Sequence, residues 1–258
     1  PLHVFDGDKV AGDLVMRLAN PGEKILALDG ETYELTSDMV AIADNNGVQS
    51  IAGVMGGEDT GCGDDTANVF LEIALFDPVR TATTGRKLDV MSDARYRFER
   101  GVDPTSALWG AEIASKLILE ICGGEASELT IAGAEPDWTR RQPLRKSRIS
   151  ALGGVHLPPD EPARILALLG FDNDDDGEVI HASIPPWRPD IDGEADLVEE
   201  VLRIHGYHNI PVVPMERDSV VPHPALDAGQ KRVGRVRRAL AATGLVEAVT
   251  YSFLSDTD

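Results

Sequence analysis

The sequence has little cysteine and no long apolar run. Only Cys62 and Cys122 are present, without a CxxC motif or a Cys/His cluster, which argues against a disulfide scaffold or a zinc site and favours reduced cytosolic thiols. No apolar run approaches the roughly 18 residues of a membrane span. The chain opens PLHVFDGDKV, without the basic segment and apolar core of a signal peptide. We therefore expect a cytoplasmic protein with no membrane partner.

Basic residues are also scarce. The chain has 24 Lys and Arg against 44 Asp and Glu, a net charge of −20. Such a surface repels nucleic acid at long range, so any RNA contact must be local. The length of 258 residues indicates one to three domains, and an apolar content of 42% is enough for real cores. Because the chain opens without Met and ends just after a strand-like run, we expect a fragment of a longer protein.

The first half of the chain reads as one mixed α/β unit, residues 1–130. Turns at Asp29-Gly30 and Asn46-Gly47 predict two hairpins, because such pairs readily take positive φ. A strand is predicted over 69–76. Asp-Pro pairs at 77–78 and 103–104 predict helix starts, with Asp as N-cap and Pro at the first helical position. The second of these helices is predicted to end at Cys122, before Gly123 and Gly124.

A polar, proline-containing linker over 133–146 separates this unit from the rest. Helices are predicted near 147–152, 160–169 and 194–204, with a hairpin between the second and third. The DNDDDG run at 172–177 is the predicted hairpin tip; Ser183 stands where a calcium loop needs Glu. A basic helix over 230–242 and a strand over 246–253 complete a prediction of an α+β protein.

The glycine loop GVMGGED at 53–59 raises the possibility of phosphate binding. Phosphate loops follow their glycines with Lys and Ser or Thr, whereas Glu58 and Asp59 follow here and would repel the anion. Glycine also lets another group approach the backbone closely. The loop is therefore predicted to be a bare wall of a small pocket, or only a turn.

Glu72 is the only polar residue of the run VFLEIALF at 69–76. A carboxylate among apolar neighbours is costly unless it receives a hydrogen bond. Two interpretations stay open: a structural hydrogen bond or an exposed edge, and a group that awaits a substrate donor. His3 is a lone histidine, for which a surface or core position is the default.

Two charged segments also leave alternatives open. In DIDGEADLVEEVLR at 190–203, a helix places Asp196, Glu199 and Glu200 on one face, with Asp190 just upstream. These acids are either a solvated face or a site for Mg²⁺, a hard cation that prefers oxygen ligands. The arginines of RYRFER at 95–100 either contact RNA or form internal salt bridges.

Several long motifs in one order give the chain a resemblance to a known family. They are PLHVFD (1–6), IADNNGVQSIAGVMGGE (42–58), LEIALFDPVRT (71–81), SDARYRFERGVDP (92–104), ICGGEAS (121–127), PPWRPDIDGEADLVEEVLRIHGYHNIP (185–211) and VTYSF (249–253). The chain resembles the beta subunit of bacterial phenylalanyl-tRNA synthetase over essentially its whole length.

The resemblance implies three pieces. Residues 1–140 are similar to most of the family's tRNA-editing domain, 144–213 to a winged-helix-like domain, and 225–258 to the start of a catalytic-like domain without an active site. It also implies an alpha subunit in an α2β2 heterotetramer, with aminoacylation and ATP on the alpha subunit, and tRNA(Phe), phenylalanine and tyrosine as substrates.

The resemblance also implies roles for particular residues. The family's editing residues match His3 and Glu72, and a wrongly attached tyrosine would be received by a pocket whose residues match Ala52, Gly53, Gly56, Gly57, Ser92 and Ala94. The family often has Thr where Ser92 stands, which keeps the hydroxyl. The family's Mg²⁺ ligands, at a site shared with the alpha subunit, match Asp190, Asp196, Glu199 and Glu200.

The physical chemistry of tyrosine fits such a pocket. An apolar pocket cannot strongly reject an added hydroxyl, so a second, hydrolytic sieve is useful. No Ser/His/Asp or Cys/His arrangement is evident, which predicts direct attack by water. Two rivals stay open: a non-enzymatic RNA- or protein-binding module, and a sensor of free amino acid that uses the same pocket.

Overall fold

The computed structural model describes residues 2–216, 224–251, 253 and 255. The chain divides into two compact units, residues 1–211 and 212–258. Helices and antiparallel strands together make the predicted α+β fold. The finer division of the first unit near residue 140 stays a prediction. No helix of the described residues is long and apolar enough to cross a membrane.

The first half of the first unit is built from short antiparallel strands. The strands are β1 (His3–Asp6), β2 (Val15–Leu18), β3 (Lys24–Leu26), β4 (Thr32–Glu34), β5 (Val40–Asp44), β6 (Gly47–Ile51), β7 (Met55–Gly56) and β8 (Val69–Glu72). A four-stranded sheet has the order β2-β5-β6-β7, and β1-β8 and β3-β4 form two-stranded ladders. Both predicted hairpins are confirmed, with Gly30 and Gly47 at positive φ in their turns.

The strand predicted over 69–76 is shorter than expected. It ends at Glu72, because the ladder with β1 supplies partners only for residues 69–72. Residues 73–76 continue without regular structure. The apolar run is therefore only partly buried, with Val69 and Phe70 exposed and residues 71–76 half-buried, and only its first half is hydrogen-bonded as a strand.

Three helices follow: α1 (Pro78–Leu88), α2 (Asp93–Phe98) and α3 (Ser106–Cys122). The start of α1 is confirmed, since the Asp77 side chain accepts the Arg80 N–H at 2.7 Å and Pro78 opens the helix. The predicted start at 103–104 is wrong by two residues. Asp103 instead accepts the N–H of Thr105 at 2.8 Å, a local turn that delays the helix.

The second half of the first unit packs helices on a three-stranded antiparallel sheet. The three predicted helices are confirmed within a few residues, and a hairpin lies between the second and third. The predicted hairpin tip at 172–177 is wrong for Asp172–Asp175, which pair as a strand with Val179–Ser183. The predicted linker over 133–146 is wrong for Arg141–Arg145, which form the third strand of this sheet. One hydrophobic core joins the helices to the sheet, with Leu144, Ile165, Ile180 and Leu197 fully buried. The elements are β9 (Arg141–Arg145), α4 (Lys146–Gly153), α5 (Glu161–Leu168), β10 (Asp172–Asp175), β11 (Val179–Ser183) and α6 (Glu194–His205). The strands of the sheet have the order β10-β11-β9.

The second unit contains α7 (Ala228–Ala242), which confirms the predicted basic helix. Asp227 caps it by accepting the Gln230 N–H at 2.7 Å. The strand predicted over 246–253 is wrong for residues 246–251 and 253, which have no regular structure. The described residues of this unit contain no strand, so residues 246–251 have no partner with which to form a ladder. Ser252 lies outside the described residues.

Candidate functional site

His3 and Glu72 face each other across the β1-β8 ladder. They are register partners in an antiparallel pair, so their side chains project from the same face of the ladder. His3 Nε2 and Glu72 Oε2 are both buried, and neither has a hydrogen-bond partner. Buried polar atoms are nearly always paired, so two orphans on one face indicate a place prepared for a polar ligand or for water.

Burial shifts the protonation of both groups toward the neutral form. It raises the pKa of Glu72 from 4.5 to about 7. Burial also lowers the pKa of His3. Both shifts follow from the cost of placing a charge in apolar surroundings. Near neutral pH, His3 is therefore a neutral imidazole, and Glu72 is divided between carboxylic acid and carboxylate.

The glycine loop closes against this pair because its glycines leave no room for a side chain. Gly53 has a φ of 71°, and a Cβ there would lie 2.9 Å from the Phe76 ring. A Cβ on Gly56 would overlap the His3 imidazole. A Cβ on Gly57 would lie 2.8 Å from the Gln49 carbonyl oxygen. The glycines therefore bring the loop backbone against the aromatic and imidazole rings.

A small cavity lies between the glycine loop, the β1-β8 ladder and α2. Its volume is about 60 Å³. Five of the eight predicted editing residues line it: His3, Gly53, Gly56, Glu72 and Ala94. Sequence reasoning missed the other lining residues, which are Leu2, Ser50, Ile51, Val54, Met55, Ala74, Phe76 and Phe98. We call this space the His3–Glu72 cavity.

The cavity is open to solvent on one side, and its inner space alone is too small to enclose an aromatic ring. A volume of about 60 Å³ holds about two water molecules, whereas a cavity of roughly 150 Å³ accepts benzene. Leu2, whose residue surface is 51% exposed, and the flexible side chain of Met55 are wall residues that can give way.

The remaining three predicted editing residues lie behind the wall. Ala52 is buried in a core cluster with Phe5 and Ile42. Gly57 packs on the Gln49 carbonyl. The Ser92 hydroxyl accepts the Arg95 N–H at 3.1 Å as the N-cap of α2, and it donates to the Val54 carbonyl. Through that last bond, Ser92 ties α2 to the glycine loop.

The RYRFER segment is mostly committed to internal contacts. Arg95 is buried and donates to Glu99 at 3.0 Å, and Arg100 donates to Glu99 at 2.8 Å. The ring of Phe98 packs edge-on against Phe76 rather than facing solvent. The salt-bridge interpretation therefore holds for Arg95 and Arg100, while Arg97 is exposed.

The four carboxylates predicted to bind Mg²⁺ lie around the start of α6. Asp196 Oδ2 accepts the backbone N–H groups of Asp192 and Gly193, both at 2.9 Å. Asp190 accepts two hydrogen bonds from Arg188. Glu199 is exposed, with the Tyr207 hydroxyl 3.4 Å from its Oε1.

Glu200 is the most buried of the four, at 6% exposure. It accepts hydrogen bonds at 2.7 Å from both Arg188 and Arg203. Burial alone would raise the pKa of Glu200, but the two arginines outweigh burial and hold the pKa below its usual value. The two guanidinium groups thus supply the positive charge that this carboxylate needs.

These carboxylates do not fit a metal ion in their present arrangement. The described residues hold no group of three or more Asp, Glu, His or Cys that could ligate one. Metal binding at Glu200 would require it to release its guanidinium partners. The assignment of Mg²⁺ to this helix stays a prediction.

Comparison with known proteins identifies the family. The family model described as "B3/4 domain" matches residues 1–123, and the one described as "tRNA synthetase B5 domain" matches residues 143–207. Over 256 residues, the chain is 53% identical to the phenylalanine–tRNA ligase beta subunit of Paramagnetospirillum magneticum, covering 99% of this chain and 32% of that protein. The chain belongs to the phenylalanine–tRNA ligase beta subunit family. The beta subunit of Rhodospirillum rubrum is 54% identical over 256 residues, covering 98% of this chain and 32% of that protein.

The chain spans about a third of the length of these beta subunits. The His3–Glu72 cavity lies within the B3/4 match, and the acidic start of α6 lies within the B5 match. A solved N-terminal fragment of the beta subunit from Pyrococcus horikoshii aligns with 80% of this chain and 60% of that fragment, at 17% identity and a TM-score of 0.41, and adds nothing to the assignment.

Proposed function

We propose that the B3/4 part of the chain hydrolyses tyrosine that has been wrongly attached to tRNA(Phe). The observation that carries the proposal is the pair of buried, unpartnered polar atoms on Glu72 and His3 in an otherwise largely apolar cavity. A tyrosyl group supplies what this cavity lacks: a ring for its apolar wall and a hydroxyl for its polar atoms.

Glu72 is proposed to recognise the phenol. As a carboxylate it accepts the phenolic hydrogen, and as a carboxylic acid it donates to the phenolic oxygen, so both forms populated near neutral pH can pair with tyrosine. Phenylalanine leaves Glu72 buried and unpaired. An unmade hydrogen bond of this kind costs about 1–3 kcal/mol, which corresponds to a preference of about 5- to 150-fold for tyrosine.

Hydrolysis is proposed to proceed by direct attack of water on the ester. The Ser50 hydroxyl, the one hydroxyl on the wall, donates to the Met55 carbonyl at 3.2 Å and makes no hydrogen bond with His3, so it is not activated as a nucleophile. His3, as a neutral imidazole, is able to accept a proton from water or to position the substrate. The Gly53 N–H makes no hydrogen bond among the described residues and is a candidate donor to the ester carbonyl.

The rest of the proposal concerns the whole enzyme. We propose that the chain is part of a beta subunit that assembles with an alpha subunit as an α2β2 heterotetramer in the cytoplasm. The alpha subunit charges tRNA(Phe) with phenylalanine and uses ATP with Mg²⁺. Residues 144–213, as a winged-helix-like domain, and 225–258, as the start of a catalytic-like domain, support assembly and tRNA binding.

Hydrolysis of Tyr-tRNA(Phe) by the complete two-subunit enzyme tests this function. We expect Glu72→Ala to lower the rate of Tyr-tRNA(Phe) hydrolysis by about 5- to 150-fold, the factor that corresponds to the lost hydrogen bond. Glu58→Gln is the matched control, since it removes an exposed acid of the glycine loop that does not line the His3–Glu72 cavity. Charging with phenylalanine should be unchanged in both variants. Unaltered hydrolysis by Glu72→Ala would remove Glu72 from the reaction.

A further inference from the structure

Arg95 is a buried arginine that lies outside the His3–Glu72 cavity. It is 8% exposed and is not among the residues that line the cavity. Its Nη1 donates to the Val90 carbonyl at 2.6 Å, and its Nε donates to Glu99 Oε2 at 3.0 Å. The guanidinium thereby joins the segment that follows α1 to the C-terminal end of α2.

Gly85 leaves the space that Arg95 occupies. A Cβ on this residue of α1 would overlap Cδ and Nε of Arg95. Gly85 is itself buried, and its carbonyl accepts the Val90 N–H at 3.0 Å. A glycine within a helix costs roughly 1 kcal/mol relative to alanine, so its presence here is accounted for by close passage of the arginine.

The helix that carries Arg95, α2, and the helix against which its side chain packs, α1, both contact the cavity wall. On α2, Ala94 and Phe98 line the cavity, and its N-cap Ser92 donates to Val54 of the glycine loop. On α1, Thr81 packs against the loop, because a Cβ on Gly53 would lie 3.1 Å from its hydroxyl oxygen. A shift of α2 relative to α1 therefore changes the shape of the cavity.

We propose that Arg95 is a positioning residue for the hydrolysis, acting through α2 on Ala94, Phe98 and Ser92. This inference rests on the proposed function. Lysine cannot replace Arg95 fully, because the guanidinium bonds Val90 and Glu99 from two different nitrogens while an ammonium is a single point charge. The role differs from an RNA contact, which would need the guanidinium to be exposed.

The test is single-turnover hydrolysis of Tyr-tRNA(Phe) by the complete two-subunit enzyme. We expect Arg95→Met to lower the maximal rate roughly 10- to 100-fold, with the half-saturating concentration changed by less than about twofold, because small misplacements of a wall cost rate rather than binding. Arg95→Lys should lie between Arg95→Met and the wild type. Arg86→Met, on the exposed side of α1, is the matched control and should leave both quantities unchanged.

Gly85→Ala provides a second variant that leaves the arginine in the sequence. Its methyl group displaces the Arg95 side chain, so it should reproduce the rate loss, and the double variant should be no slower than Arg95→Met alone. If Arg95→Met does not fold, Arg95→Lys and Gly85→Ala carry the test. Charging of tRNA(Phe) with phenylalanine verifies folding and assembly of each variant.

Two outcomes would overturn the inference. An unchanged maximal rate in folded Arg95→Lys and Gly85→Ala would show that Arg95 only stabilises the fold. A raised half-saturating concentration with a shallower salt dependence, at unchanged maximal rate, would show that Arg95 contacts RNA phosphate instead. Absence of hydrolysis by the wild type is a different failure, since it would remove the proposed function itself.

Discussion

Glu72 predicts an unusual dependence of stability on pH. Its pKa rises from 4.5 to about 7 on folding because it is buried without a partner. Between these two values the folded chain holds a proton that the unfolded chain has released, so the free energy of unfolding falls as pH rises. The total loss is about 3 kcal/mol, of which about 2.5 kcal/mol falls between about pH 5 and about pH 8.

The perturbation is Glu72→Gln, which keeps the shape of the side chain and cannot ionise. We expect the free energy of unfolding of the wild type, relative to the variant, to fall by about 2.5 kcal/mol from about pH 5 to about pH 8. His3 contributes a slope of the opposite sign below its unfolded pKa, since burial lowers the pKa of its imidazole. The difference between wild type and variant isolates Glu72.

Urea unfolding followed by tryptophan fluorescence measures this difference. All three tryptophans, Trp109, Trp138 and Trp187, lie in the first unit, so the signal reports the unit that contains Glu72. Glu112→Gln, an exposed residue on α3, is the control and should follow the wild type at every pH. Parallel profiles for wild type and Glu72→Gln would refute a buried, unpaired carboxyl group at this position.

Three further predictions follow from contacts around the two sites. Gly56→Ala should displace the His3 ring and lower the rate of Tyr-tRNA(Phe) hydrolysis by the complete enzyme at least tenfold, with phenylalanine charging unchanged. A hydrolysis rate equal to that of the wild type would show that the position of the ring is unimportant. Ser92→Ala should lower the free energy of unfolding in urea by about 2 kcal/mol, because it removes the N-cap of α2 and the hydrogen bond to the glycine loop. Ser92→Thr keeps the hydroxyl and should lower it little. Equal losses in the two variants would show that the hydroxyl is not what stabilises the fold here. Glu200→Gln should lower the free energy of unfolding by about 2 kcal/mol, because it weakens the buried hydrogen bonds from Arg188 and Arg203 while Asp190 still pairs with Arg188. An unchanged urea midpoint would argue against this ion pair, and a wild-type midpoint that moves to higher urea with Mg²⁺ would indicate metal binding there.

Local signals in the sequence predicted the local structure well. The turns at Asp29-Gly30 and Asn46-Gly47 form because Gly30 and Gly47 take positive φ, a preference carried by the residues themselves. The cap at Asp77 is equally local. The Asp103-Pro104 prediction was wrong because the same side chain can satisfy either a helix N–H or a turn N–H, and the pattern of residue types does not distinguish the two.

The cavity depends on contacts between distant residues, which periodicity cannot supply. His3 and Glu72 are 69 positions apart and meet only because β1 pairs with β8 in one particular register. The resemblance to the family, rather than any local pattern, placed them in one site. Similarly, the acidic face of α6 was visible in the sequence, but the guanidinium of Arg188 that neutralises Glu200 comes from the preceding loop.

The most direct test of the central claim is a calorimetric titration of the chain with tyrosine and with phenylalanine. If Glu72 recognises the phenol, tyrosine should bind about 5- to 150-fold more tightly than phenylalanine, and the preference should vanish in Glu72→Ala. Equal binding of the two amino acids, or a preference for tyrosine that survives in Glu72→Ala, would contradict the account.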